Sequence, residues 1–187
     1  MAQRFELLTT PIIGLSLLQR RPLADARGYF QRLFCAEELV EFGWTQGVAQ
    51  VNHTQTLEKG SVRGLHLQLP PHAEMKLITC LQGAVWDVAV DLRKDSPTFL
   101  QWHAEVLSAE NKRSFLIPQG FAHGFQTLTD HVEMLYCHSH AYQPTAEMGL
   151  NVFDERLAIG WPLPVTAMSD KDRQWLLLDE DFEGVSV

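Results

Sequence analysis

The chain has 187 residues, of which 45% are hydrophobic and 20% charged, enough for one domain, residues 1–187, with a full apolar core. Its formal net charge of −8 argues against general nucleic-acid binding, yet a local group of Arg and Lys can still grip a small anion in one pocket. No stretch approaches the length of a membrane-spanning helix, and the start MAQRFELL lacks the basic and apolar regions of a secretory signal.

Taken in order, short strand-like runs recur with turn signals between them. Residues 11–18, 28–34, 47–54, 61–68, 75–82, 84–92, 114–118, 124–129 and 132–139 each read as strands. Within 84–92, Trp86, Val88 and Val90 alternate with Asp87, Ala89 and Asp91, the period of a pleated strand. Many short strands at this spacing predict a sandwich or barrel. Residues 36–42 are a short helix candidate that Gly43 can stop. Beyond Trp161-Pro162-Leu163-Pro164 the chain turns irregular, and Ser169 then opens a second helix expected to run through Leu178. Cys35, Cys80 and Cys137 are odd in number and widely spaced, which predicts reduced thiols and a cytoplasmic location.

The stretch Gly60–Gly83 organises the chain. Five residues separate Gly60 from His66, and six separate Lys76 from Gly83, the frame of the first cupin motif. The ligands that would hold a metal in that frame are exchanged. Gln68 stands at the second His position and Lys76 at the Glu position, and an ammonium repels a divalent cation. The second motif, Pro-x-Gly-x-x-His, is met by Pro118, Gly120 and His123, with Thr127 in place of an Asn. These motifs predict an all-β fold, a cupin-type double-stranded β-helix (jelly roll) with a few short peripheral helices, one near the C-terminus, and no metal.

Several side chains can carry chemistry, and each has a plainer reading. A lone strand His is more often structural, but the frame points His66 inward, with His123 as a second inward His. Lys76 lies in a run that reads as buried, where a Lys needs a partner or a task such as holding an oxyanion. Asp172 stands three residues after Ser169, which fits a helix-capping pattern as well as it fits a carboxylate that orients His66. Tyr136 and Tyr142 could deliver protons or simply pack at a rim. Arg27 and Arg63 could be surface charges or forks for phosphate oxygens.

The segments DARGYFQRLF, QVNHT, GSVRGLHLQ, AEMKL, GAVWDVAVDLRKDSPTF, LSAENKR, IPQGFAHGFQTL, MLYCHSHAYQP and SDKD, in this order, resemble the dTDP-4-dehydrorhamnose 3,5-epimerase family. The resemblance implies a homodimeric jelly roll without metal or nucleotide cofactor. It would act on a dTDP-linked 4-keto-6-deoxyhexose or a related nucleotide sugar, with neither nucleic acid nor membrane as partner. By the same resemblance His66 is the general base, Asp172 its partner, Lys76 the group near the ketone and Tyr136 the acid. Arg27, Gln50, Asn52, Arg63, His123, Tyr142 and Lys171 match substrate-site positions. Arg32, Val51 and Ala141 depart from the family pattern. The competing readings are a single-centre epimerase, a ketoisomerase on another nucleotide sugar, a non-catalytic sugar-nucleotide-binding cupin and a metal-dependent cupin enzyme. Gln68 and Lys76 weigh against the last.

Overall fold

A computed structural model of the chain describes residues 3–187; Met1 and Ala2, which the one-domain expectation includes, lie outside the described residues. The strands are β1 Phe5–Leu8, β2 Ser16–Arg20, β3 Leu23–Asp25, β4 Gly28–Phe30, β5 Gln50–Thr56, β6 Val62–Gln68 and β7 Lys76–Gln82. They continue with β8 Ala84–Asp91, β9 Trp102–Ser108, β10 Arg113–Ile117, β11 Phe121–Thr127, β12 Val132–His138 and β13 Glu147–Gly149. Two helices are short, α1 Ala36–Leu39 and α2 Asp170–Arg173. One sheet has the order β1-β2-β10-β7-β12-β5 and the other β13-β6-β11-β8-β9, and all these pairings are antiparallel. The all-β jelly roll with small peripheral helices is therefore the observed architecture. β3 and β4 form a separate two-stranded hairpin.

Strand alternation sorts the apolar residues into three layers. Ile78 and Cys80 of β7, Phe115 and Ile117 of β10, Ala89 of β8 and Phe125 of β11 meet between the sheets. The opposite face of β7 sends Leu77 outward, where it packs with Leu39 of α1, Trp44 and Phe5. Val88 and Val90 of β8 and Leu65 and Leu67 of β6 also face outward, under Leu150, Val152, Leu157 and Val185 from the C-terminal part. So both faces of β8 are buried. Its alternating polar residues point inward to partners: Asp87 to His123, and Asp91 to Arg93, Ser96 and Thr98.

The first helix matches its expected start, though only Ala36–Leu39 is α-helical before a 3-10 turn over Val40–Phe42, and Gly43 ends it at φ 104°. The second differs from expectation. It stops at Arg173 rather than Leu178 because the next residues bond elsewhere. The Trp175 indole lies on Gly149, where a Cβ would come within 2.1 Å of it, and the Trp175 carbonyl accepts a bond from Asn151 Nδ2. Leu176 and Leu178 are likewise tied by their backbones to Asn151 and Asp154. Among the described residues no helix is long and apolar enough to cross a membrane.

Candidate active site

One end of the sandwich opens into a cavity of about 290 Å³ between the sheets. Its first wall is β6 with β11. A regular strand would send Arg63 and His66, three positions apart, to opposite faces. The register breaks here: His66 pairs with His123 and Arg63 with Phe125, so three steps on β6 match two on β11. This bulge turns both side chains into the cavity. Glycine is required at the break, since a Cβ on Gly64 (φ 132°) would stand 2.5 Å from the Gly124 Cα.

His66 and His123 are cross-strand neighbours, and each has its own carboxylate. His66 Nε2 lies 2.6 Å from Asp172 Oδ1, and His123 Nε2 lies 2.9 Å from Asp87 Oδ1. Burial acts to raise the pKa of Asp172, but hydrogen bonds and charge from His66, with further bonds from Ser169 and Gly64, outweigh it and hold the carboxyl below its ordinary range. Asp87 is fully enclosed, and burial pushes its pKa up against the opposing pull of His123. The two readings of Asp172 prove compatible. Ser169 Oγ accepts the Asp172 backbone N–H at 3.0 Å and starts α2, which leaves the carboxylate free for His66.

The second wall is β7, β12 and β5. Tyr136 and His138 alternate on β12, Lys76 lies opposite His138, and Asn52 lies opposite Tyr136. Burial pushes the Tyr136 phenol well above its ordinary pKa, so it keeps its proton in neutral solution. Its ring stacks beside His138, with centroids 6.0 Å apart at 13°. The Lys76 ammonium donates to the His66 carbonyl at 3.0 Å and lies 3.3 Å from Glu74 Oε1. Burial favours the neutral form of Glu74, but His138 and Lys76 together lower its pKa. Thus a buried cation occupies the place where the cupin frame expects a metal ligand. Among the described residues no group of three or more His, Cys, Asp or Glu is arranged to hold a metal ion.

The mouth carries Tyr142, Glu147 and Lys171. Tyr142 donates its hydroxyl proton to Glu147 Oε2 at 2.6 Å, and Lys171 pairs with the same oxygen. The cavity thus collects His66, Asp172, Lys76, Tyr136, Asn52, Arg63, His123, Tyr142 and Lys171. Two expected residues are not on its lining. Gln50 stands behind it, bonded to Asn52 and to the Tyr142 backbone. Arg27 sits at the tip of the β3–β4 hairpin, 90% exposed and paired with Asp25. Of the three departures, Val51 points away from the cavity, Arg32 pairs with Glu38 near α1, and Ala141, next to Tyr142 in the chain, gives its carbonyl to Gln68.

Sequence reading missed Glu74, His138, Thr54 and Glu147. His138 is two residues from Tyr136 on β12, and Glu74 two from Lys76, so same-face spacing was an available signal for both. Glu147 had none, because β13 is a three-residue strand defined by its pairing with β6.

A cavity with paired His and carboxylate on one wall and a phenol and an ammonium on the other is also what known proteins of similar sequence allow us to place. A family model described as dTDP-4-dehydrorhamnose 3,5-epimerase matches residues 9–180. The dTDP-4-dehydrorhamnose 3,5-epimerase of Salmonella typhimurium is 42% identical over 179 residues, 92% of this chain and 95% of that protein. The crystal structure of the Bacillus anthracis dTDP-4-dehydrorhamnose 3,5-epimerase, with TDP and PPi bound, superposes with a TM-score of 0.90 at 42% identity, covering 93% of this chain and 99% of that one. A Legionella pneumophila dTDP-6-deoxy-D-glucose-3,5-epimerase in complex with dTDP-4-keto-L-rhamnose gives a TM-score of 0.90 at 37% identity, covering 98% of this chain and 99% of the other. Matched over nearly its full length in sequence and in fold, the chain belongs to the dTDP-4-dehydrorhamnose 3,5-epimerase family.

Proposed function

We propose that the protein inverts carbons 3 and 5 of a dTDP-linked 4-keto-6-deoxyhexose, converting dTDP-4-dehydro-6-deoxy-D-glucose to dTDP-4-dehydro-L-rhamnose. The observation that carries this reading is the placement of the His66–Asp172 pair and Tyr136 on opposite walls of one cavity. Hydrogens beside a ketone are acidic because the carbanion delocalises as an enolate. Neutral His66 takes the proton, and Asp172, whose carboxyl stays ionised, stabilises the imidazolium that forms. If Nε2–H is donated to Asp172, Nδ1 is the nitrogen left for the substrate. The Lys76 ammonium offsets the negative charge growing on the ketone oxygen. Tyr136, which retains its proton, returns one to the carbon from the other face and so inverts the centre. No electrons are transferred overall, so the proposed chemistry calls for no redox cofactor, and the Lys76 ammonium supplies the charge that a metal would otherwise place at the ketone oxygen.

Arg63, His123, Asn52, Tyr142 and Lys171 are the proposed contacts for the nucleotide sugar. We read the chain as one domain that works as a homodimer in the cytoplasm. Its three cysteines are free thiols, which suits a reducing compartment. The β3–β4 hairpin exposes Leu23, Tyr29 and Phe30 at 49%, 60% and 64%, an apolar surface suited to a second copy. In such a dimer Arg27 serves the neighbouring cavity rather than its own.

The direct test is incubation with dTDP-4-keto-6-deoxyglucose in heavy water, with deuterium located by NMR. Label at carbons 3 and 5 is expected. Label at one carbon means a single-centre epimerase, and no label refutes the proposed chemistry.

A further inference from the structure

Tyr142 presents a physical problem. It lies in the irregular segment between β12 and β13, and it is 49% exposed, so packing does little to hold its ring at the cavity mouth. Its backbone, however, is held from two sides by side-chain amides. The Tyr142 N–H donates to Gln50 Oε1 at 2.9 Å. The peptide before it offers the Ala141 carbonyl to Gln68 Nε2 at 3.4 Å, and the peptide after it donates the Gln143 N–H to Gln68 Oε1 at 2.5 Å. Gln68 itself is only 3% exposed, and its Nε2 also donates to the His72 carbonyl at 3.1 Å, so the clamp is anchored in the strand rather than floating with the loop. On β13, Glu147 stands directly opposite Gln68 and receives the Tyr142 phenol.

Gln50 is fixed as firmly from behind. Its Nε2 donates to Asn52 Oδ1 at 3.0 Å, Asn52 Nδ2 meets His138 Nε2 at 3.3 Å, His138 Nδ1 meets Glu74 Oε2 at 2.8 Å, and the other Glu74 oxygen lies 3.3 Å from Lys76 Nζ. The donor sense of the whole chain follows from its two ends. An ionised carboxylate only accepts, so His138 Nδ1 carries a proton and donates. From the other end, the Tyr142 N–H can only donate, so Gln50 Oε1 accepts it, Gln50 Nε2 donates to Asn52 Oδ1, and the Asn52 amide is left to donate to His138 Nε2. Every group has one role, and reversing any amide would set two donors face to face.

We infer that Gln50 and Gln68 are positioning residues of the epimerisation, which hold the Tyr142 backbone so that its ring stands ready at the mouth of the catalytic cavity. This rests on the epimerase reading above and gives Gln50 a supporting role beside the substrate contact expected of it. It also gives Gln68, the residue that replaces a metal-binding His in the cupin frame, a task of its own.

The test separates the clamp from the chemistry. The chain has three tyrosines, so protein labelled with 3-fluorotyrosine gives three fluorine resonances, and Tyr142→Phe assigns one of them. In Gln68→Met and in Gln50→Met the Tyr142 line is expected to shift and narrow while the Tyr29 and Tyr136 lines stay. Gln50→Glu keeps the acceptor for the Tyr142 N–H but loses the donor to Asn52 Oδ1, so its Tyr142 line should move less than that of Gln50→Met. With dTDP-4-keto-6-deoxyglucose as substrate, Gln68→Met is expected to lower kcat/KM about tenfold, mainly through KM, and to have little further effect once Tyr142→Ala has removed the ring. A Tyr142 line that does not move in either Met variant, or losses that multiply in the double variant, overturns the proposal. A line that moves in a protein without any epimerase activity keeps the clamp and removes the epimerase reading instead. Gln68→Glu, which retains the acceptor for Gln143 and loses the donors to Ala141 and His72, replaces Gln68→Met if the latter fails to fold, with the same readouts and a smaller shift.

Discussion

Asp172→Asn probes the His66 pair most sharply. The carboxylate is 4% exposed and its Oδ1 is 2.6 Å from His66 Nε2. A hydrogen bond to a charged group contributes about 1.5–3 kcal/mol, which corresponds to a loss of roughly ten- to 150-fold in turnover at about 1.36 kcal/mol per decade. An Asn that offers its N–H to Nε2 also imposes the wrong tautomer, which extends the expected loss to about a thousandfold. His66→Asn sets the floor and should abolish solvent exchange beside the ketone altogether. The same carboxylate makes stability depend on pH. Its folded pKa lies below the ordinary 3.8, so its contribution is fully present above that value and is lost as pH falls through the lowered one. The difference in stability between parent and Asp172→Asn should therefore shrink in acid. The assay is deuterium exchange by NMR from pH 5 to 9, with thermal unfolding from neutral pH down to pH 3. Unchanged turnover in Asp172→Asn, beside a dead His66→Asn, would mean that the carboxylate serves only the first turn of α2, and the reasoning about the pair would fail.

Tyr136→Phe should separate the two half-steps: exchange beside the ketone persists while net inversion, followed by NMR of the sugar ring, falls by at least about a hundredfold. Prolonged chelation should leave turnover unchanged, because Lys76 and Gln68 stand at two ligand positions of the cupin frame; activity that returns only with added iron or manganese would contradict this. Light scattering at assay concentration should give a dimer, and Arg27→Ala should raise KM with little change in thermal stability, since Arg27 is exposed at the hairpin tip. A fully active monomer would refute the proposed role of the hairpin.

The strands that carry the site were legible because each pairs a strong β-former pattern with flanking turn residues. β6, β7, β8 and β12 begin and end within a few residues of their expected limits. β9 was not legible, since His103 and Glu105 bond to each other, and Glu105 also to Arg113 of β10, which replaces apolar alternation with a polar network. The hairpin strand β3 and the short β13 exist through pairing alone, and pairing is not a property of a single segment. α2 was over-extended because local propensity cannot anticipate that Trp175 finds its place on Gly149. In the site, the motif frame brought His66, His123 and Lys76 together, and the capping pattern at Ser169 located Asp172. What the frame could not convey is second-order support. Gln68 reads as a lost metal ligand, and only the fold reveals its three backbone partners. Arg27 was legible as a motif residue, but its distance from the cavity of its own chain was not.

The C-terminal part of the chain gives the enzyme a weak joint. Beyond β13 it holds little regular structure, and it keeps its shape by laying Leu150, Val152, Leu157 and Val185 on the outer face of the second sheet. Two backbone bonds stitch it to the start of β6, from Val62 to Ala167 and from Thr166 to Gly60. This same covering delivers Asp172 and Lys171 to the cavity. Peeling it back would leave both sheets paired while removing the partner of His66. Such a species would still scatter light and show β-structure as the native protein does, yet would turn over far more slowly. Loss of activity on heating should then run ahead of loss of the sheets, and amide exchange in residues 150–187 should follow the first of these transitions rather than the second.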